Sequence, residues 1–361
     1  MNPTTTLRRV GQSLWLDNIT PDMLSSGTLE RYIAELSVTG LTSNPTIYDK
    51  AIKGSDAYDQ QIRQGLDAGQ ETEDLFFGLA IDDLQKAADA FGAVHERTSG
   101  VDGWVSLEVS PLLAHETAAT VKQAIRLHGQ ADRPNLYIKI PGTPAGLPAI
   151  EEAIFFGVHV NVTLLFTPDH YRAAADAYMR GLERRVDAGL DLAVSSVASV
   201  FLSRWDVAVA DEVPARLKNQ LGLLIGQRCY VAYRELLASE RWQRLANEGA
   251  RPQRLLFAST GTKDPDAPDT LYVAGLAAPN TINTMPEGTL LAFADHGEVG
   301  ETLPADGAAS EQRLEAFADA GVDLEALGQR LQDEGADAFV DSWKALIDRL
   351  ASKSEALIAT S

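Results

Sequence analysis

The sequence lacks the residues on which several common kinds of site depend. Cys229 is its one cysteine, so no intramolecular disulfide can form. The six histidines do not have the spacing that is typical of metal-binding motifs. These absences predict a reduced protein that needs neither a metal ion nor a cofactor.

Positive charge and long apolar runs are also scarce. The 31 lysines and arginines are outnumbered by 51 aspartates and glutamates, which gives a formal net charge of −20 at pH 7. This excess disfavours non-specific binding to nucleic acid or to an anionic membrane, so an anionic ligand needs a local cluster of cations. No apolar run has membrane-spanning length, and the N-terminal stretch has no signal-peptide core. We therefore expect a cytoplasmic protein.

Short apolar segments alternate along the chain with longer segments of helical spacing, a pattern that predicts a parallel sheet. The strand-like segments are SLWLD, GLTSNP, WVSLEVS, LYIKIPG, HVNVTLLF, LDLAVSSVAS, RLLFAST and TINTMP. Eight strands are the number that closes a (β/α)8 barrel of the TIM type. An open, doubly wound sheet is the alternative, but the glycine-rich turn that usually follows its first strand is absent after SLWLD.

The C-terminal part of the sequence has an amphipathic helical pattern. One apolar stripe contains Leu324, Leu327 and Leu331, and a second contains Phe339, Trp343, Leu346 and Leu350. The acidic, glycine-containing stretch 297–309 is typical of a connecting segment. We expect one α/β barrel domain over residues 1–361, with residues 300–361 as a helical extension that packs on the barrel.

Polar side chains interrupt strands that would otherwise be continuously apolar. Because successive side chains point to opposite faces of a strand, the alternation separates an inner face from an outer one. The inner face contains Trp15, Asp17, Ser106, Glu108, Tyr137, Lys139, His159, Asn161 and Thr163. Buried parallel strands are normally apolar, and the active sites of barrels lie at the carboxyl ends of the strands. The pattern therefore predicts a catalytic pocket.

Lys139 is the most informative of these residues, because burial of an ammonium group is costly unless the group is paired, solvated or chemically used. A desolvated lysine can act as a neutral amine that attacks a carbonyl group and forms a Schiff base. Such chemistry also needs proton carriers, and Glu108 and Asp17 can fill that role without a metal or cofactor.

Each of these residues also has a purely structural interpretation. Lys139 could form an ion pair with Glu108, Asp17 could cap the helix that begins at Thr20-Pro21, and Asn44 could initiate the Asn-Pro turn of TSNP. The convergence of all four residues on one rim favours a catalytic pocket over separate structural roles.

The motifs that contain these residues resemble those of the transaldolases. In order, they are WLD, GLTSNPTI, VSLEVS, YIKIPGT, VNVTLLF and SVASVFLSRWD, and the similarity extends over about residues 13–290. The resemblance implies a Schiff base between Lys139 and the ketone of sedoheptulose 7-phosphate or fructose 6-phosphate. A dihydroxyacetone unit would then be transferred to glyceraldehyde 3-phosphate or erythrose 4-phosphate, a reaction of the non-oxidative pentose phosphate pathway.

The resemblance also implies a role for each site residue. Asp17 would deprotonate the hydroxyl group at the bond that is cleaved, and Glu108 and Thr163 would position a water that shuttles protons. The other implied residues are Asn44, Asn161, Ser199 and Phe201 around the dihydroxyacetone unit, and Arg204, Ser259 and Lys263 at the phosphate. Many transaldolases have an arginine where this chain has Gly261. Lys263 could supply that charge, or it could be a solvated loop lysine.

Two other functions are compatible with parts of the pattern. A fructose 6-phosphate aldolase of the same superfamily releases free dihydroxyacetone, but it typically has glutamine in place of Glu108 and tyrosine in place of Phe201. A non-catalytic sugar-phosphate-binding barrel would not need both the amine and the carboxylates. Transfer is therefore favoured over both alternatives. The expected partners are sugar phosphates. The sequence does not decide whether the protein forms a homo-oligomer.

Overall fold

Eight parallel strands form a nearly closed barrel in the computed structural model, which describes residues 2–359. The strands are β1 (Ser13–Asp17), β2 (Val38–Thr42), β3 (Val105–Glu108), β4 (Leu136–Pro141), β5 (Val160–Leu165), β6 (Ser196–Phe201), β7 (Arg254–Ala258) and β8 (Ile282–Met285). Their order in the sheet is β2-β1-β8-β7-β6-β5-β4-β3. The prediction of a TIM barrel is confirmed.

Helices connect the strands and surround the barrel. They are α1 (Pro3–Val10), α2 (Pro21–Ser25), α3 (Thr28–Glu35), α4 (Pro45–Gly54), α5 (Asp59–Asp67), α6 (Thr72–Ala90), α7 (Gly92–Arg97), α8 (Thr117–Ala131), α9 (Gly146–Phe155), α10 (Pro168–Asp187), α11 (Ser203–Val209), α12 (Leu221–Ala238), α13 (Glu240–Asn247), α14 (Leu271–Gly275), α15 (Glu287–His296), α16 (Ala308–Asp319) and α17 (Leu324–Ala359). Across residues 2–359, every helix is too short or too polar to cross a membrane.

The barrel closes between β2 and β3 through a short contact. Gly40 and Trp104 form a parallel bridge, and the Leu41 N–H donates to the Trp104 carbonyl oxygen at 2.9 Å. A Cβ atom on residue 40 would lie 2.7 Å from that oxygen and equally close to the Trp15 ring. Glycine is therefore required where the first and last strands of the order meet.

Two strands differ from their predicted bounds. The segment 190–199 is predicted as the sixth strand, but β6 begins at Ser196 because that residue is the one that aligns with Val160 of β5. Leu192 and Val194 precede the strand but are buried, so the apolar pattern places the start of the predicted strand too early in the sequence. In β2 the chain leaves the sheet after Thr42, because Asn44 already caps the next helix.

Both apolar stripes of the C-terminal pattern belong to one helix, the 36-residue α17. It packs against α4, α5 and α6 and against the end of β5. The stretch 297–309 joins α15 to α16, and its Leu303 N–H donates to the Ala277 carbonyl oxygen at 2.8 Å. The organisation of residues 1–361 as one domain stays a prediction.

A group of histidines lies at the amino-terminal end of the barrel. His159 immediately precedes β5, and its ring packs against the rings of Trp104 at 5.0 Å and His128 at 5.6 Å. Its Nδ1 atom accepts a hydrogen bond from the Ser195 N–H at 3.0 Å, so the neutral ring is held in one tautomer. Burial, reinforced by the charge of His128, lowers the pKa of His159 to about 3.

The lowered pKa of His159 makes the fold sensitive to acid. The neutral His159 ring contributes fully to the free energy of unfolding above the unfolded-state pKa of about 6.5. This contribution is lost as the pH falls toward the folded-state pKa of about 3, because the unfolded chain binds a proton that the folded protein does not. We predict that His159→Gln reduces the loss of unfolding free energy between pH 6.5 and pH 4 by about 3 kcal/mol. Urea unfolding at both pH values measures this loss, and His115→Gln, at an exposed position, is the control. Equal losses in the His159→Gln variant and the unsubstituted protein would contradict the assignment.

Candidate active site

The register of three strands places polar side chains of one layer next to each other. Glu108 on β3 aligns with Lys139 on β4, which aligns with Asn161 on β5. Asn161 donates through Nδ2 to Ser106 Oγ at 3.2 Å and accepts from Ser199 Oγ at 2.7 Å. These side chains therefore point into the barrel, on the face that the alternation in the sequence predicts.

Lys139 is held by two acceptors in this layer. Its side chain is only 6% exposed, and Nζ donates to Glu108 Oε2 at 3.3 Å and to the Ser43 carbonyl oxygen at 3.1 Å. The ion pair that the structural interpretation requires is therefore present. Lys139 also lines a pocket at the carboxyl ends of the strands, so a ligand in that pocket can reach its amine.

Both carboxylates near Lys139 take up a proton more readily than usual. Burial raises the pKa of Asp17, against the Lys139 charge and hydrogen bonds from Thr42 and Asn44. Burial likewise raises the pKa of Glu108, against the Lys139 charge, and the negative charge of Asp17 adds to the rise. Two carboxylates thus lie near one cation, and burial shifts the pKa of both upward, as is common for groups that exchange protons in active sites.

The structural interpretations of Asp17 and Asn44 have different outcomes. The N-terminal cap of α2 is Thr20, whose Oγ1 accepts from the Met23 N–H at 3.1 Å, so a capping role for Asp17 is wrong. Asp17 instead accepts from Thr42 Oγ1 at 2.8 Å. Asn44 does cap α4, because its Oδ1 accepts from the Ile47 N–H at 3.1 Å, and it also lines the pocket.

A pocket of about 380 Å³ opens at the carboxyl ends of the strands. The predicted site residues that line it are Asp17, Asn44, Lys139, Thr163, Ser199, Phe201, Arg204, Ser259 and Lys263. Glu108 and Asn161 lie behind this surface, where they contact Lys139 and Ser199. The structure thus brings together the full predicted set, with nine residues on the pocket wall and two behind it.

Thr163 occupies an irregular part of the barrel wall. The pairing of β5 with β6 shifts between Val162 and Leu165, and Leu164 has a φ of 60° in the left-handed region. Within residues 2–359, the buried Thr163 Oγ1 atom has no hydrogen-bond partner. Buried hydroxyl groups are normally paired, so this atom is available to a molecule in the pocket.

Arg204, Ser259 and Lys263 line the pocket at the ends of β6 and β7. The Arg204 guanidinium lies over the Phe201 ring, 5.4 Å from its centroid, and burial lowers its pKa. The charge of Glu334 acts on Arg204, but no carboxylate of residues 2–359 lies close enough to form an ion pair with it, which leaves its donors available to an anion. A Cβ atom on Gly261 would lie 3.1 Å from Pro286 Cγ, so a larger side chain there needs Pro286 to shift.

Several pocket residues were missed by sequence reasoning. Lys50 follows the TSNPTI motif on α4, and Ala338, Phe339 and Ser342 come from α17. Phe339 belongs to an apolar stripe in the sequence, but that stripe predicts only that the helix packs on the barrel. In the part of the chain that the structure describes, no group of three or more histidine, cysteine or acidic side chains is placed to hold a metal ion.

Comparison with known proteins agrees with this geometry. Residues 14–350 match the family described as Transaldolase/Fructose-6-phosphate aldolase. A transaldolase of Thermobifida fusca is 46% identical over 361 residues, which cover 98% of each chain. Transaldolases of Frankia alni and Mycolicibacterium smegmatis are 44% and 43% identical over at least 97% of each chain. The chain therefore belongs to the transaldolase/fructose-6-phosphate aldolase family.

Proposed function

We propose that this transaldolase transfers a dihydroxyacetone unit between sugar phosphates, with Lys139 as the amine that captures the donor ketone. The observation that carries the proposal is the buried Lys139 amine, which contacts Glu108 and shares one pocket wall with Asp17. A ketose phosphate such as sedoheptulose 7-phosphate or fructose 6-phosphate is the donor. An aldose phosphate such as glyceraldehyde 3-phosphate or erythrose 4-phosphate is the acceptor.

Imine formation requires one proton to leave the attacking amine and another to reach the departing hydroxyl group. Glu108 accepts the first, because Oε2 lies 3.3 Å from Lys139 Nζ and burial keeps its pKa above the ordinary value. The unpaired Thr163 hydroxyl supports a bound water between the carboxylate and the carbinolamine oxygen. Water is then lost, and the Schiff base remains on Lys139.

Cleavage of the donor requires a base at its C4 hydroxyl group. Asp17 fills this role, because it lines the pocket with Lys139 and burial raises its pKa, which makes its carboxylate a stronger base. The C4–O bond becomes a carbonyl, the C3–C4 bond breaks, and the electron pair moves into the enamine on Lys139. Asp17 retains this proton and donates it to the aldehyde oxygen of the acceptor when the new carbon–carbon bond forms.

The three-carbon enamine is held by polar groups and one aromatic ring. Asn44 and Ser199 line the pocket, and Asn161 fixes the Ser199 hydroxyl through the 2.7 Å hydrogen bond. Phe201 covers the side toward β6. This set fits a small polyhydroxy fragment, since amide and hydroxyl groups both donate and accept hydrogen bonds.

The phosphate of donor and acceptor binds at the ends of β6 and β7. Arg204 has free donors in a planar fork, Ser259 supplies a hydroxyl group, and Lys263 adds a second positive charge on the same wall. Lys263 thereby serves the function of the arginine that Gly261 replaces. A local cation pair is needed, because the formal net charge of −20 repels anions at long range.

Glu108 and Phe201 favour transfer over the aldolase activity that the family also contains. The chain is proposed to act in the cytoplasm, in the non-oxidative branch of the pentose phosphate pathway. Assembly into a homo-oligomer stays a prediction.

Lys139→Ala is predicted to lower the rate of dihydroxyacetone transfer by about 1000-fold or more, because it removes the buried amine beside Glu108 on which the Schiff base is proposed to form. The test follows transfer from fructose 6-phosphate to erythrose 4-phosphate. Lys122→Ala removes an exposed lysine of α8 and is the control for loss of charge. Circular dichroism verifies that each variant is folded. Substantial transfer by a folded Lys139→Ala variant would refute the mechanism.

Arg204→Gln is predicted to raise KM for fructose 6-phosphate by about 10- to 100-fold, the worth of a charge-assisted hydrogen bond. Lys263→Gln should give a smaller rise, since Lys263 is exposed. Steady-state kinetics with fructose 6-phosphate and with unphosphorylated fructose measure the effect, and Arg97→Gln, at an exposed position on α7, is the control. An equal loss with both sugars would show that Arg204 does not bind the phosphate.

A further inference from the structure

The C-terminal helix α17 crosses the mouth of the active-site pocket and is fixed on both sides. On one side, Gln332 Nε2 donates to the Leu164 carbonyl oxygen at 2.9 Å and to the Gly142 carbonyl oxygen at 3.2 Å. On the other side, Arg349 pairs with Asp49 of α4, and Lys353 Nζ donates to the Ser55 carbonyl oxygen at 2.6 Å. The helix is therefore a fixed cover over the ends of the strands.

Small residues let α17 approach the pocket wall closely. A Cβ atom on Gly335 would lie 3.2 Å from Arg204 Nη1 and 3.1 Å from Leu164 Cδ2. A Cβ atom on Gly328 would lie 2.3 Å from Thr167 Cγ2. The backbone of α17 thus packs directly against Arg204, the residue proposed to bind phosphate.

Phe339 is the residue of α17 that reaches the reactive amine. Lys139 Nζ lies over its ring, 5.9 Å from the centroid. The ring also meets the Phe201 ring edge to face at 6.4 Å, and both aromatic side chains line the pocket. Phe339 is only partly buried and lines the pocket, unlike Trp343, which packs in the core against Phe76 and Phe77. Its exposed face is directed at the space where a ligand on Lys139 would lie.

We propose that Phe339 determines the fate of the enamine on Lys139, by keeping water away from it until an aldehyde arrives. This inference rests on the Schiff base proposed for Lys139. In transfer, C3 of the enamine bonds to the aldehyde carbon, and the aldehyde oxygen takes a proton. Water then releases the product ketose from the imine.

The competing reaction gives free dihydroxyacetone. C3 takes a proton instead of an aldehyde, water adds to C2 of the resulting iminium ion, and the C2–N bond breaks to restore the Lys139 amine. An apolar ring on the α17 side of the amine disfavours this reaction, because it leaves that side of C3 without a water that could donate the proton. Hydrolysis at C2 is common to both reactions, so the effect of Phe339 lies on the protonation of C3.

The test compares two activities of the unsubstituted protein and of Phe339→Ala, Phe339→Leu and Trp343→Phe. Release of dihydroxyacetone from fructose 6-phosphate alone is measured in D2O, so that deuterium at C3 reports protonation of the enamine. Transfer is measured with erythrose 4-phosphate present. Borohydride reduction with fructose 6-phosphate, followed by mass spectrometry, verifies that each variant still forms the Lys139 adduct.

Phe339→Ala should raise the ratio of release to transfer by about tenfold or more, a shift of about 1.4 kcal/mol between the two barriers. Phe339→Leu, which keeps an apolar cover, should give a smaller rise, and Trp343→Phe none. An unchanged ratio in Phe339→Ala, or an equal rise in Trp343→Phe, would overturn the role of Phe339. Absence of a Lys139 adduct in the unsubstituted protein would instead refute the proposed function itself.

Discussion

The burial of the Lys139 amine beside Glu108 is the constraint on which the rest of the site depends. An unpaired ammonium group at this depth would be strongly destabilising, so the carboxylate has to be there for the fold. The same carboxylate, with its raised pKa, can take a proton from the amine when a carbonyl group approaches. The structural ion pair and the proposed catalytic pair are therefore the same contact, and the two interpretations do not exclude each other.

The barrel accounts for how this contact is surrounded. Parallel register aligns Glu108, Lys139 and Asn161 in one layer, and the chain then leaves each strand with residues that face the pocket. Asn44 has two roles in this arrangement, because its Oδ1 caps α4 and the residue also lines the pocket. Because the formal net charge is −20, the proposed binding of phosphate depends on local cations in the pocket, Arg204 and Lys263.

Most of the barrel and of its polar interior could be predicted from the sequence, because strand alternation has a period of two and burial of polar groups is conspicuous. Three features could not be predicted. The amphipathic pattern of α17 indicates an apolar face but not the surface that it covers, so the position of Phe339 over Lys139 stayed hidden. The left-handed Leu164 depends on contacts such as the Gln332 hydrogen bond. Lys50 follows no pattern that separates it from a solvated lysine.

The most direct test of the central claim is to find where a donor becomes attached. The unsubstituted protein is incubated with fructose 6-phosphate, reduced with borohydride and digested, and the modified peptide is identified by mass spectrometry. The account predicts a dihydroxyacetone-derived mass on Lys139. Folded protein that carries no label after incubation with saturating donor, or a label on another lysine such as Lys50 or Lys263, would contradict it and reduce Lys139 to a structural ion pair.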